Sequence, residues 1–339
     1  MNDAKLLEQA ARIASDVEAN VAKVVVGQKS AIRLLLIAIL ARGHVLLEGD
    51  VGIGKTTVLR AFARAIGGGF SRIEGSIDMM PGDVLYHTFI TEEGNPRVSA
   101  GPLIEHGEAL AVFFFNEINR ARPQVQALLL RAMAERSVTA FNQVRQIPHL
   151  LVFADRNRVE KGETFELAAA ARDRFMMEIG IEAPESDEDR ASLIFDPAYH
   201  DVERLLMRCD ADIFDYRDLE GVGRAIQHHV DASPALQKYA LDLMRATRQP
   251  HEFGVRVSGV NVSELVEAGA SPRGMSLMLR AARVHAFLAG RPHLVPEDLQ
   301  AVFRPTMVHR IFFSPVYEFE RQSIAPIFID EVLRCVAAP

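Results

Sequence analysis

The chain has 339 residues, 49% of them hydrophobic and 24% charged, with a formal net charge of −7 and two cysteines. That length suits about two domains, and the apolar fraction supplies a sizeable core. An acidic balance without a basic tract argues against a strong nucleic-acid binder, and the separation of Cys209 from Cys335 matches neither a metal site nor a redox motif.

The first stretch, MNDAKLLEQAARIASDVEAN, has the pattern of an acidic amphipathic helix and lacks a signal-peptide apolar region. Val24 to Gln28 read as a loop leading into a strongly apolar helix from about Ser30. The most apolar span, residues 31–47, is interrupted by Arg33 and Arg42, so no membrane insertion is expected and the location is expected to be cytoplasmic. Next comes HVLLEGDVGIGKTT at 44–57: a buried strand, a glycine-rich turn and the start of a helix running to Ile66. FSRIEGS reads as the following strand. Residues 84–98 alternate around a Glu-Glu-Gly-Asn turn and predict a β-hairpin, bracketed by Pro81 and Gly101-Pro102 like an insertion. ALAVFFF at 109–115 is a continuous apolar run, as expected of a parallel strand covered on both faces. A helix to about Glu135, a second hairpin near 137–147, the strand LLVFA, a short helix over 166–173 and the strand FMMEIGI follow. Alternating strands and helices predict a doubly wound parallel sheet with its ligand at the C-terminal strand ends. From Pro184 the pattern turns helical. The predicted organisation is an α/β core over 1–183 and an α-helical lid over 184–339.

Gly49, Gly54, Lys55 and Thr56 fit G-x-x-x-x-G-K-[ST], the pattern of a P-loop whose backbone N–H groups cradle phosphates. The loop Gly49-Asp50-Val51-Gly52-Ile53-Gly54 and the helix start Lys55-Thr56-Thr57 are the expected nucleotide-binding residues, and ATP with Mg²⁺ the expected cofactors. Lys55 is expected to reach the β- and γ-phosphates and Thr56 to ligate Mg²⁺. A P-loop also needs an acidic element at the end of a neighbouring strand. Here ALAVFFF ends in Asn116-Glu117, with Glu117 placed to activate the attacking water and Asn116 standing where an Asp would support Mg²⁺. Asn157, after LLVFA, suits either a turn or a group that orients the water or γ-phosphate. Arg174 suits either a surface ion pair or an arginine finger reaching a neighbouring subunit. Arg273 follows Ser271 as cap and Pro272 as first helical residue, a position unfavourable for a cation unless an anion sits nearby.

These motifs together resemble the MoxR family of AAA+ ATPases along nearly the whole chain. The matching text is VVGQ (25–28), HVLLEGDVGIGKT, DMMPGDV (78–84), AGP (100–102), NEINRARPQVQALLLRAMAERSVT (116–139), GETFELAAAARDRF (162–175), GASPRGMSLMLRAAR (269–283) and VPEDL (295–299). The resemblance implies a P-loop AAA+ core with a helical lid and Asn116-Glu117 in the Walker B position. It further implies Asn157 at sensor 1, Arg174 as the inter-subunit finger and Arg273 at sensor 2. The two hairpins correspond to the helix-2 and pre-sensor-1 insertions, which face the pore or partner of a ring. It also implies a homohexameric ring acting as a chaperone-like remodeller of a client protein, commonly with a von Willebrand factor A-domain partner. The family pattern has Asp-Glu where this chain has Asn116-Glu117, and FADRNR replaces a more usual Ala-Thr-Gln-Asn-Pro. Losing one negative charge beside Mg²⁺ predicts slow hydrolysis, or a ring scaffold gated by ATP with little turnover.

Overall fold

The computed structural model describes residues 3–50, 52–156 and 165–339. Helix α1 (Asp3–Val21) turns one apolar stripe inward, burying Leu7, Ala10, Ala14, Val17 and Val21 at the spacing of a helix face. Helix α2 (Lys29–Leu40), buried over most of its length, leads to strand β1 (Val45–Glu48) and then α3 (Lys55–Ile66). Strand β2 (Gly69–Glu74) follows, then the short α4 (Pro81–Leu85) and an antiparallel hairpin of β3 (Tyr86–Ile90) and β4 (Pro96–Ala100). Strand β5 (Leu110–Asn116) and α5 (Pro123–Glu135) come next, then a second hairpin of β6 (Ser137–Ala140) and β7 (Gln143–Gln146). Its two-residue turn, Phe141-Asn142, has φ of +54° and +58°, the geometry that joins twisted strands tightly. Strand β8 (Leu151–Arg156), α6 (Ala169–Arg172) and β9 (Met177–Gly180) complete the α/β region.

The main sheet has the order β2-β5-β8-β1-β9, with parallel pairing of β2 to β5, β5 to β8 and β8 to β1. Val45 to Leu47, Phe113 to Phe115 and Leu151 to Ala154 are all buried, successive residues alike. Consecutive strand residues point to opposite faces, so the sheet is covered on both, and the expected doubly wound parallel core is what the sequence forms. The register sets Glu74 beside Asn116, Phe115 beside Ala154 and Leu47 beside Asp155. The C-terminal ends of four adjoining strands therefore meet at one edge, with those of β5, β8 and β1 nearest the P-loop.

The remaining chain is mostly helical: α7 (Asp187–Phe195), α8 (Val202–Leu206), α9 (Leu219–His229), α10 (Pro234–Arg248), α11 (Val262–Leu265), α12 (Pro272–Leu288), α13 (Pro296–Met307), α14 (Pro315–Glu318) and α15 (Arg321–Cys335). Among them, β10 (Val266–Ala268) and β11 (Phe312–Phe313) form a small antiparallel pair that an all-helical expectation had not included. By compactness the chain divides into one unit of residues 12–174 and 179–220, and another of 1–11, 175–178 and 221–339. The sheet-bearing unit thus runs past residue 183. The reason is local: the N–H groups of Asp212, Phe214 and Tyr216 donate to the carbonyls of Arg64, Ala65 and Ile66 at the end of α3, at 2.9–3.0 Å, and Arg60 pairs with Glu203 at 2.6 Å. Among the described residues, no helix is long and apolar enough to cross a membrane.

Candidate nucleotide site

The strand-to-helix turn between β1 and α3 has the conformation that the glycine spacing demands. Gly52 and Gly54 take φ of +81° and +89°, a region costly for residues with a Cβ. Space is open for 4 Å on the side where a Cβ would stand at either residue, so the backbone there is accessible. Gly49 is required for the opposite reason, since a Cβ there would lie 2.3 Å from the Ile181 carbonyl oxygen. Gln28, from the VVGQ stretch, donates from Nε2 to the Ile53 carbonyl at 3.0 Å and so ties the loop to the start of α2. Gly54 caps α3 with its backbone alone and no acidic side chain lies in the first turn, which leaves N–H donors and the positive helix end for an anion. Thr56 and Thr57, both half-buried, stand in that first turn, and Asp50 is exposed at the start of the loop. Val51 lies outside the described residues.

Lys55 is buried, and its ammonium is drawn back into the protein. Nζ donates to the Gly49 carbonyl at 2.9 Å and pairs with Asp155 Oδ2 at 2.8 Å. Asp155 is the residue that the sequence reading missed. It closes the apolar run LLVFA on β8 and is completely buried. Its Oδ1 accepts the backbone N–H of Glu117 at 2.5 Å. Asn116, at the end of β5, reaches the same carboxylate. Its amide must present nitrogen, since an oxygen would face two oxygens, and it then donates to Oδ1 at 3.1 Å and to Oδ2 at 3.2 Å. A charged residue ending an otherwise apolar parallel strand was the available signal.

Glu117 itself has φ +54° and ψ +50°, a left-handed conformation uncommon outside glycine. Such strain persists where surroundings enforce it, and here the bond to Asp155 fixes the turn. The Glu117 carboxylate is largely shielded, with 14% of its side chain exposed, and meets the Arg120 guanidinium at 3.0 Å. Lys55, Asn116 and Glu117 thus converge around Asp155.

Arg174 and Arg273 have settings of their own. Arg174 follows α6 and donates to the Leu130 carbonyl on α5. Arg273 is exposed in the first turn of α12, in the other compact unit, where Ser271 accepts the Gly274 N–H at 3.0 Å as the predicted cap. Asn157 lies outside the described residues.

The open, positive-φ glycine turn, the uncapped start of α3 and the buried lysine fit a nucleotide polyphosphate, and Thr56 with the Asn116–Asp155 pair offers oxygen donors of the kind Mg²⁺ takes. Comparison with known proteins agrees. Residues 44–177 match the ATPase family associated with various cellular activities (AAA), and residues 260–328 match the AAA lid domain. Protein MoxR of Methylorubrum extorquens is 56% identical over 95% of this chain and 94% of its own length. Protein MoxR of Paracoccus denitrificans is 52% identical over 96% of each chain. A protein named Chaperone MoxR1 of Mycobacterium tuberculosis is 32% identical over 94% of this chain and 80% of its own. The crystal structure of a proposed ATPase from Cytophaga hutchinsonii superposes with a TM-score of 0.81 at 30% identity, covering 97% of this chain and 96% of the other. Near-full-length identity to proteins of that name, on an AAA core with a helical lid, makes this chain a member of the MoxR family of AAA+ ATPases.

Proposed function

We propose that the protein binds and hydrolyses ATP with Mg²⁺ and uses the energy to remodel a client protein, maturing or activating it in the manner of a chaperone. The observation that carries the reading is the open glycine loop with Lys55 held at its base and Glu117 just past the end of β5, two strands from the P-loop strand. Lys55 exchanges its partner on Asp155 for phosphate oxygens, an interaction that is charge-assisted in either state. Glu117, in the left-handed turn after β5, accepts the proton of the attacking water. Mg²⁺, when bound, neutralises the phosphate charge, with Thr56 and the Asn116–Asp155 pair as its protein side. The chaperone name of the Mycobacterium tuberculosis relative supports the client-remodelling part.

In the same reading the protein works as a homohexameric ring in the cytoplasm, Arg174 reaches the neighbour's nucleotide, and Arg273 and Asn157 sense its state. The exposed hairpin residues Phe89, Ile90, Val98, Phe141 and Val144 face the client or a von Willebrand factor A-domain partner. A nucleic-acid motor is disfavoured by the net charge of −7. Asn116 favours a second reading, a ring scaffold assembled by ATP that scarcely turns over.

Calorimetry and steady-state turnover separate these readings. Lys55→Ala should weaken ATP binding by at least about tenfold, or 1.4 kcal/mol. Glu117→Gln should bind ATP like the parent and lose about 10²–10⁴-fold in turnover, the usual worth of a general base. A parent that binds no ATP removes the reading. A parent that binds it but turns over no faster than Glu117→Gln leaves the scaffold.

A further inference from the structure

Asp155 is tied to three elements at once: Lys55 at the start of α3, Asn116 at the end of β5 and the Glu117 N–H in the turn after it. A fully buried carboxylate is costly unless charge and hydrogen bonds surround it, and these donors supply both. Its place in the sheet is equally specific. P-loop proteins hold Mg²⁺ with a carboxylate at the end of a strand near the P-loop strand. In this sheet β8 lies directly between β1 and β5, so Asp155 ends the strand next to the P-loop strand. Asn116, one strand further out, carries no charge and turns its NH₂ toward Asp155. An aspartate at 116 would set two carboxylates against each other, which like charges at that distance resist. The two positions form a matched pair, with amide on β5 and carboxylate on β8.

We propose that Asp155 provides the negative charge of the Mg²⁺ site in the nucleotide pocket, with Asn116 and the Glu117 N–H as its positioning groups. While no phosphate is present, the same carboxylate neutralises Lys55. When phosphate takes Lys55, Asp155 is released toward the metal. The missing Walker B charge is therefore relocated by one strand. This rests on the ATP·Mg²⁺ reading above.

The test is a binding measurement. Calorimetric titration with ATP, in EDTA and in saturating Mg²⁺, gives a ratio of dissociation constants that reports how strongly Mg²⁺ assists binding. Asp155→Asn should lower that ratio by at least about tenfold, the scale seen when groups supporting a metal are removed. The exchanged pair, Asn116→Asp with Asp155→Asn, should regain most of it, because the charge returns to the site from the other strand. If Asp155→Asn keeps the parental ratio, the proposal is wrong. It is equally wrong if affinity drops alike in both conditions, since Asp155 would then serve Lys55 only. Should Asp155→Asn fail to fold, the exchanged pair decides alone: a parental ratio supports the proposal, and a ratio near one overturns it. A parent that binds no ATP at all would instead remove the ATP reading, a separate result.

Discussion

Asn116→Asp converts this site to the aspartate that its family pattern leads one to expect, and the structure predicts that the change is harmful in the nucleotide-free protein. The side-chain nitrogen of Asn116 sits 3.1 and 3.2 Å from the two oxygens of Asp155, a residue with no exposed surface. Asparagine and aspartate have the same shape, so the substitution puts an oxygen where that nitrogen was. Two unit charges about 3 Å apart repel by about 5 kcal/mol at an effective dielectric constant near 20. The hydrogen bonds to Asp155 are lost as well, at about 1.5–3 kcal/mol for a charged acceptor. Lys55, 2.8 Å from Asp155, attracts the new carboxylate and offsets part of this. Side-chain rotation toward the half-exposed side of residue 116 offsets more. A net loss of about 2–4 kcal/mol remains, which for a chain of 339 residues lowers the melting temperature by roughly 3–6 °C. The assay is a thermal melt in EDTA without nucleotide, repeated with Mg²⁺ and ADP. The deficit should be large in EDTA and shrink with Mg²⁺·ADP, because a divalent cation then lies among the carboxylates. If Asn116→Asp melts at or above the parent in EDTA, the Asn116–Asp155 pairing is wrong.

Arg174→Ala should cut turnover by about 10³–10⁵-fold, the worth of an arginine finger, while ATP affinity stays near the parental value. Mixing Arg174→Ala with Lys55→Ala subunits should recover part of the activity, and no recovery in well-mixed rings would count against a role across subunits. A last prediction concerns Asp298, buried in the first turn of α13, which accepts from His285 Nδ1 at 2.7 Å, from the Val295 N–H at 2.9 Å and from Arg291. Burial pushes its carboxyl up, but the hydrogen bonds from His285 and Val295, with the Arg291 charge, outweigh burial and hold it below the usual carboxylate range. A depressed folded-state value contributes stability above the ordinary range near 3.9 and loses it as pH falls through the folded value. Asp298→Asn should therefore cost about 1–3 kcal/mol at neutral pH, with the gap closing only as the solution becomes acidic. Melting temperatures of both proteins from pH 8 down to about pH 3 check this, and a gap already closed by pH 6 would refute it.

Several elements were legible because their information is contiguous. The P-loop needs glycines and a lysine at fixed short spacing, and Gly49 to Thr56 display it in one stretch. Strands covered on both faces declare themselves as unbroken apolar runs, as in β5 and β8. The hairpin of β3 and β4 was visible from alternation around its turn residues. What escaped was short or nonlocal. The pairing of β10 with β11 joins strands of only three and two residues, too brief for any periodicity to show. Residues 184–220 looked like the beginning of the lid by helical pattern, yet they join the compact unit of the sheet, and their tie to the end of α3 depends on backbone bonds no local pattern announces.

The sequence by itself determined that this chain makes a P-loop on a parallel α/β core and belongs with the AAA+ ATPases, since each motif there is a run of neighbours whose backbone conformation follows from residue type. Only the tertiary structure decided where the site's charge lies. Lys55, Asn116 and Asp155 are far apart along the chain, and what brings them together is the sheet order, with β8 laid between β1 and β5 so that three C-terminal strand ends share one edge. Read alone, Asn116 is a lost carboxylate. Beside Asp155, in a buried setting where like charges repel and amides donate, it is the partner that an existing carboxylate requires.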